Sequence, residues 1–178
     1  MRFTATPLAG AFIIDVQRHE DSRGFFARTY CEQEFAAHGI NQQPVQSNIS
    51  FNTTRGTLRG MHYQRAPYAE AKLVRCTAGK IFDVIVDIRE NSPTLHHWFS
   101  IELDSTSHRA IYIPEGFAHG FQTLEARSEV FYEMFRVFQP GHAEGLHWND
   151  PTLGIKWPLD VMAISKKDEA YPSLSSQA

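Results

Sequence analysis

The chain has 178 residues, of which 42% are hydrophobic and 21% are charged, and its formal net charge is -3 at pH 7. These values are typical of a globular protein, and they argue against a protein that binds the nucleic-acid backbone, which would need a strongly basic face. No apolar run reaches membrane-spanning length, and the first ten residues contain no secretion signal. Only Cys31 and Cys76 are present, so a single disulfide is possible but a disulfide scaffold is not. We therefore predict a cytoplasmic protein.

Short segments rich in β-branched and aromatic residues follow one another along the chain, separated by turns that contain glycine or proline. Nine of them are predicted as strands, namely residues 11–16, 25–30, 47–51, 57–64, 72–77, 80–89, 97–103, 109–113 and 129–138. Residues 31–38, ended by Gly39, form the best predicted helix. The pattern predicts an all-β sandwich or jelly-roll barrel with a few short helices, and its interior could hold one small ligand.

The chain shows no linker, internal repeat or low-complexity block before its polar tail. We therefore predict one domain over residues 1–178, with a flexible tail at about 173–178. Within the predicted strand at 80–89, Asp83 and Asp87 alternate with apolar residues and share a face with Ile85.

Two of the nine histidines, His62 and His119, lie near glycines in β-rich surroundings. His62 lies inside the predicted strand at 57–64, and His119 begins a further predicted strand after a tight turn at Pro114 and Gly116. On a regular strand Gly60 shares a face with His62, which would leave space for something to approach. A single histidine of this kind is more often a hydrogen-bonded core residue than a catalyst. Two in one β-rich chain favour a functional site, because the unperturbed pKa of histidine lies near neutrality. The other seven lie beside turns or charged residues and are interpreted as surface groups.

The spacing Pro114-x-Gly116-x-x-His119 matches the second motif of cupin barrels. The metal-binding cupins also need a His-x-His pair and a downstream glutamate on an earlier strand. Here the earlier strand offers His62, but Gln64 stands at the partner position. Two separate imidazoles do not complete a metal site, so we predict neither a metal nor another cofactor.

Eight groups of residues, taken in order, resemble one family at its usual spacing. They are residues 21–26, 46–48, 56–64 (GTLRGMHYQ), 72–75, 79–89 with 92–94, 113–121, 148–151 with 157–158, and 165–168 (SKKD). The chain in this way resembles the dTDP-4-dehydrorhamnose 3,5-epimerase family, the sugar-epimerising branch of the cupins. The resemblance implies a cupin jelly roll and an isomerase that acts on a nucleotide-linked 4-keto-6-deoxy sugar in deoxysugar and lipopolysaccharide-type biosynthesis.

The resemblance also implies catalytic roles. His62 matches the family's base, which removes a proton from a carbon next to the ketone, and Asp168 matches the carboxylate that pairs with it. Lys72 matches the cation beside the enolate oxygen. Tyr132 matches the acid that returns a proton on the opposite face, and His119 is expected to be a supporting donor in the same cavity.

Substrate binding is implied for further polar residues. Arg23 and Arg59 match the family's diphosphate contacts, and Gln46 and Asn48 match polar contacts to the nucleotide. Because Arg59 is three residues from His62, a regular strand would point the two side chains in opposite directions. Either a bulge re-aims Arg59 or it binds from an exposed edge.

Two positions depart from the family pattern. Arg28 stands where the family usually has a glutamate close to the pyrimidine base. Arginine can donate to the acceptors of cytosine, so one hypothesis is a CDP-linked substrate in place of a dTDP-linked one, and the other is that Arg28 points to solvent. Phe138 replaces a family tyrosine, which leaves open whether C3, C5 or both carbons are epimerised.

Two other functions compete with the epimerase. One is a non-catalytic cupin that binds sugar nucleotides, and the other is a 3,4-ketoisomerase on the same substrates. Members of the family are dimers that exchange an N-terminal strand. We therefore expect a homodimer in which Arg23 reaches the neighbouring site, and we expect no nucleic-acid or membrane partner.

Overall fold

The computed structural model describes residues 1–174, and of the predicted flexible tail only Ser173 and Leu174 fall inside that range. The described residues form thirteen strands and two short helices. They are β1 Arg2–Ala5, β2 Phe12–Asp15, β3 Arg18–Asp21, β4 Gly24–Ala27, α1 Glu32–Ala36, β5 Gln46–Asn52, β6 Leu58–Gln64, β7 Lys72–Ala78, β8 Lys80–Asp87, β9 Trp98–Asp104, β10 Ala110–Ile113, β11 Phe117–Thr123, β12 Ser128–Met134, β13 Ala143–Gly145 and α2 Lys166–Glu169.

Most strands belong to two antiparallel sheets. The six-stranded sheet has the order β1-β2-β10-β7-β12-β5, and the five-stranded sheet has the order β13-β6-β11-β8-β9. Strands β3 and β4 form a separate hairpin whose residues are almost all exposed. The two large sheets make the jelly-roll fold, so the predicted all-β class is confirmed.

The main core lies between the two sheets. Val74 and Val130 of the six-stranded sheet belong to the same buried cluster as Ile81 and Ile85 of the five-stranded sheet. Alternate residues of each strand point inward, which is how one face of a sheet is buried. Truncating a fully buried residue such as Ile85 to alanine typically costs about 2–5 kcal/mol.

Strand β8 is buried on both faces. A second cluster, which includes Val84 and Val86, packs beneath the chain segment that carries Leu146, Leu153 and Ile155. The segment covers the outer face of the five-stranded sheet, which explains why this strand is apolar on both sides. A third cluster around Phe35 of α1 covers the outer face of the six-stranded sheet.

Each predicted strand has a counterpart, but several bounds differ. Strand β4 ends at Ala27, β12 ends at Met134, and α1 is shorter than the predicted helix, with Gly39 at φ +80° beyond it. Strands β1, β3 and β13 and helix α2 have three or four residues each and were not predicted. Such short elements carry too little periodicity to be recognised, and pairing with neighbouring strands decides them.

Candidate active site

A cavity of about 460 Å³ opens between the two large sheets. Six of the ten predicted site residues line it, namely Arg59, His62, Lys72, His119, Tyr132 and Asp168. Its volume suits a ligand of small-molecule size. The structure therefore brings together all four predicted catalytic residues and two of the six predicted binding residues.

His62 on β6 forms a hydrogen-bonded pair with Asp168 on α2, with 2.8 Å between Nε2 and Oδ1. A carboxylate can only accept, so the proton lies on Nε2 and the lone pair on Nδ1. The carboxylate side chain is 7% exposed and the imidazole 42% exposed. The pair therefore fixes the tautomer of a histidine that can reach solvent and ligand, as a general base requires.

Asp168 is held by more than the imidazole. Its Oδ2 accepts from the backbone N–H of Gly60 at 3.2 Å, and its own N–H donates to Ser165 Oγ, which caps α2. Burial raises the pKa of Asp168, but the hydrogen bond and charge of His62, with the Gly60 and Ser165 hydrogen bonds, outweigh it and leave the pKa below its usual value. The carboxylate is thus ionised when it faces the imidazole.

His119 on β11 lies opposite His62 in the β6–β11 pairing and forms a second pair of the same kind. Its Nε2 donates to Oδ2 of Asp83 on β8 at 2.8 Å, and both side chains are buried. The other oxygen of Asp83 is buried without a hydrogen bond from any described residue. The second imidazole therefore also has a fixed tautomer, with Nδ1 unprotonated.

A bulge in β6 gives Arg59 access to the cavity. Between the pairs His119↔His62 and Phe121↔Arg59, β11 advances by two residues and β6 by three. The extra residue cancels the alternation of faces, so Arg59 lines the same cavity as His62. Its Nε donates to Asn52 Oδ1 at 2.7 Å, which anchors the guanidinium. Of the two alternatives, a bulge that re-aims Arg59 or binding from an exposed edge, the structure shows the bulge.

The bulge depends on two facing glycines. A Cβ on Gly60 would lie 2.6 Å from the Cα of Gly120, and a Cβ on Gly120 would lie 2.5 Å from Met61 Sδ and 2.8 Å from the Arg59 carbonyl oxygen. Gly60 also has φ +142°. The space that Gly60 leaves was expected to let something approach, and the structure shows that the backbone of β11 at Gly120 fills it.

Lys72 and Tyr132 face the cavity from the opposite, six-stranded sheet. The ammonium of Lys72 lies 2.9 Å from Glu70 Oε1 and 3.4 Å from the carbonyl oxygen of His62. Burial raises the pKa of Tyr132, with a smaller lowering effect from Arg59 and a raising effect from Glu70. The phenol therefore keeps its proton at neutral pH, and its hydroxyl makes no hydrogen bond to any residue between 1 and 174.

Four predicted binding residues lie outside the cavity. Arg23, in the β3–β4 turn, is 88% exposed and pairs with Asp21. Arg28, just after β4, is 60% exposed and pairs with Glu34 of α1 at 3.0 Å. This placement supports the interpretation in which Arg28 points to solvent.

Gln46 and Asn48 lie on β5, the edge strand of the six-stranded sheet. Gln46 Nε2 donates to Asn48 Oδ1 at 3.0 Å, and Gln46 Oε1 accepts from the N–H of Phe138 at 3.0 Å. Phe138 itself lines the cavity. Gln46 and Asn48 thus lie beside a residue of the cavity rim, but neither lines the cavity itself.

Several residues that line the cavity, or that contact a residue lining it, were not predicted. Glu70 contacts Lys72, Asp83 contacts His119, and Tyr63, Glu144 and Tyr171 line the wall. An aspartate between apolar residues on the inward face of a strand was a usable signal for Asp83, because a buried carboxylate needs a partner. Glu70 precedes β7 without any periodicity and carried no such signal.

Residues 1–174 contain no helix that is long and apolar enough to cross a membrane. In the same part of the chain, no three His, Cys, Asp or Glu side chains are grouped as a metal ion would require. Cys31 and Cys76 are both free thiols.

Comparison with known proteins gives one consistent result. The family model described as dTDP-4-dehydrorhamnose 3,5-epimerase matches residues 5–176. The chain is 42% identical over 176 residues to the dTDP-4-dehydrorhamnose 3,5-epimerase of Methanothermobacter thermautotrophicus. The alignment covers 97% of this chain and 94% of the relative.

Solved structures agree with the sequence comparison. The crystal structure of dTDP-4-dehydrorhamnose 3,5-epimerase from Elizabethkingia anophelis superimposes with a TM-score of 0.96 at 36% identity, covering 99% of this chain and 98% of the other. The dTDP-6-deoxy-D-glucose-3,5-epimerase of Legionella pneumophila, in complex with dTDP-4-keto-L-rhamnose, has a TM-score of 0.91 at 36% identity, covering 98% and 93%.

Proposed function

Because the chain belongs to the dTDP-4-dehydrorhamnose 3,5-epimerase family, we propose that it inverts the carbons beside the ketone of a dTDP-linked 4-keto-6-deoxyhexose. Membership makes the protein an isomerase, a sugar-nucleotide epimerase of deoxysugar biosynthesis. The substrate, the carbons inverted and the residue roles are the proposal.

The observation that carries the proposal is that a histidine and a tyrosine lie on opposite walls of one cavity. His62, oriented by Asp168, lies on the five-stranded sheet, and Tyr132 lies on the six-stranded sheet. Inversion of a carbon needs one group that removes a proton and another that returns one from the other side. A site with a single acid-base group would exchange protons with retention.

The reaction begins when His62 Nδ1 takes the proton from a carbon next to the C4 ketone. The electron pair of the C–H bond forms the C=C bond of an enolate, and the negative charge moves to the ketone oxygen. The ammonium of Lys72 donates a hydrogen bond to that oxygen and stabilises the charge. Tyr132 then gives its phenolic proton to the opposite face, the ketone forms again, and solvent protons restore the tyrosine while His62 releases its own proton.

C3 and C5 both flank the ketone, so the same steps apply to either carbon. We propose that both are inverted, in line with the description of the family model. The order of the two inversions is open to direct measurement because the protons on the two carbons give separate NMR signals.

The nucleotide part of the bound substrate is proposed to extend out of the cavity past Arg59, whose guanidinium can bind a phosphate. Arg23 is proposed to reach the diphosphate of a neighbouring subunit in a homodimer with exchanged N-terminal strands. The support is that the β3–β4 hairpin is separate from both large sheets and exposes Phe25 and Phe26. Gln46 and Asn48 are proposed to contact the nucleotide at the rim.

A cytoplasmic location is also part of the proposal. Both cysteines are free thiols, and Cys76 is buried. Free thiols are the usual state in a reducing compartment.

Solvent-deuterium exchange tests the proposal. The protein is incubated in D2O with dTDP-4-keto-6-deoxyglucose, and C3 and C5 are followed by NMR. We expect deuterium at both carbons and an inverted product. Deuterium at neither carbon would contradict the epimerase and leave a binding role, whereas a product with its ketone at C3 would identify a 3,4-ketoisomerase.

A further inference from the structure

Glu70 is a buried carboxylate between two parts of the site. Its side chain is 4% exposed, its Oε1 lies 2.9 Å from the ammonium of Lys72, and its Oε2 accepts from the backbone N–H of Gln64 at 2.9 Å. Gln64 ends β6, the strand of His62, whereas Lys72 begins β7 on the other sheet. One carboxylate thus ties together the strands that carry the base and the cation.

The contacts of Lys72 leave one donor for a ligand. An ammonium has three N–H groups. One faces Glu70 Oε1 and a second faces the carbonyl oxygen of His62 at 3.4 Å, and the ammonium has no other hydrogen-bond partner among residues 1–174. Since Lys72 lines the cavity, its third N–H is available to an oxygen of a bound substrate.

Charge gives a second argument. The side chain of Lys72 is 9% exposed, and a buried cation without a partner is costly. Glu70 supplies the partner charge while occupying only one side of the ammonium. A long flexible lysine is in this way held as a charged and oriented donor.

We propose that Glu70 is a positioning residue that orients Lys72 so that one N–H points at the oxygen of the enolate. This inference rests on the proposed function. Glu70 does not touch the reacting atoms, and it acts through the ammonium that does.

Glu70→Gln tests the role of the charge. The amide oxygen can still accept from the Gln64 N–H, but its NH2 group then faces the ammonium, so Lys72 is displaced. We expect kcat to fall roughly 10- to 100-fold, since a shift of about 1 Å at a reacting group can have that effect. KM should change by less than about threefold, because the lost interaction belongs to the transition state.

The dependence of kcat on pH is a second measurement, and a loss of packing alone would not shift it. The charge of Glu70 raises the pKa of Tyr132, and that of Arg59 lowers it. Removing the first charge therefore lowers the pKa of this acid, and the alkaline limb of kcat should move to lower pH in Glu70→Gln. Glu70→Asp keeps the charge but shortens its reach, so it should lower kcat with a smaller shift of the limb. Both variants keep the other titratable groups that line the cavity, namely Arg59, His62, Tyr63, Lys72, His119, Glu144, Lys167, Asp168 and Tyr171.

A double-mutant cycle shows whether Glu70 acts through Lys72. In a Lys72→Met background, Glu70→Gln should change the deuterium-exchange rate by less than about threefold, because residues that act as one unit are not additive. A further loss as large as in the wild-type background would overturn the proposal. The matched control is Glu102→Gln, which removes the carboxylate from the surface pair with Lys80 and should leave kcat unchanged.

The outcomes separate the two proposals. Wild-type protein that exchanges no deuterium contradicts the proposed function itself. Wild-type protein that exchanges deuterium, with kcat within twofold in both Glu70→Gln and Glu70→Asp, contradicts only the role of Glu70. If thermal unfolding shows that Glu70→Gln is not folded, the kcat of Glu70→Asp alone tests the role of Glu70.

Discussion

The residues proposed for proton transfer and the arginines near the amino terminus are held in different ways. In the first, His62, Asp168, Lys72 and Tyr132 line one cavity, and three of them are tied by hydrogen bonds to other described residues. In the second, Arg23 and Arg28 lie on exposed segments and form ion pairs with nearby acids. The side chains proposed for proton transfer thus meet within one chain, whereas these two arginines lie outside its cavity.

The difference follows from what each task requires. Proton transfer needs atoms held within fractions of an ångström, which buried hydrogen bonds between strands provide. A diphosphate can be bound by guanidinium groups on exposed segments, and in the proposed dimer a second subunit would supply one of them. We therefore expect changes in the first region to affect kcat and changes in the second to affect KM.

His62→Asn is expected to have the largest effect. The amide can still donate to Asp168, so the fold is kept, but no base remains. Exchange at C3 and C5 should fall about 10³-fold or more, within the range for loss of a general base. The measurement is deuterium uptake by NMR, with the exposed His97→Asn as control. Near-normal uptake would mean that another residue, His119 foremost, is the base.

Tyr132→Phe should separate the two half-reactions. The hydroxyl has no partner among residues 1–174, so thermal stability should barely change. Inverted product should fall about 10²-fold, while His62 continues to exchange the substrate proton with solvent. Tyr112→Phe, a buried tyrosine on the same sheet and outside the cavity, is the control. Equal losses of exchange and of product would contradict the assignment of Tyr132 as the acid.

Arg23→Ala should raise KM about tenfold or more with little change in kcat, because a charge-assisted bond to phosphate is worth about 1.5–3 kcal/mol. Subunit exchange adds a sharper test. The two single variants, Arg23→Ala and His62→Asn, are co-expressed so that mixed dimers form. If Arg23 acts in the neighbouring subunit, one site of each mixed dimer has both wild-type residues, so about a quarter of all sites should be restored. If no site is restored, or if the protein sediments as a monomer, Arg23 acts in the site of its own subunit or in no site.

Arg28→Gln should have the smallest effect. The guanidinium pairs with Glu34, which also binds the amino terminus at 2.6 Å. Titration with CDP, dTDP and GDP should show dTDP as the tightest ligand, and the variant should change each dissociation constant by less than about threefold. Tighter binding of CDP, lost in the variant, would restore the CDP hypothesis.

Individual residues show how far the sequence went. Motif matches identified His62, Lys72, Tyr132 and Asp168, and the structure places them around one cavity although 106 residues separate the dyad partners. The strand pattern also predicted the all-β class. It could not predict Glu70, because a single carboxylate in a loop has no periodicity.

The faces of β6 mark a second limit. Regular alternation placed Arg59 and His62 on opposite faces, and a one-residue bulge puts both into the cavity. The bulge depends on the contact between Gly60 and Gly120, which are far apart in sequence. No local pattern contains that information.

The sequence by itself determined the fold class, the family and the chemical types available for proton transfer, because these follow from local periodicity and from motifs at set spacing. Only the tertiary structure decided the contacts that no motif implied. It paired His119 with Asp83, joined Lys72 to Glu70, and left Arg23 and Arg28 outside the cavity. The physical reason is that hydrogen bonds and ion pairs depend on distances in space, which the packing of two sheets sets.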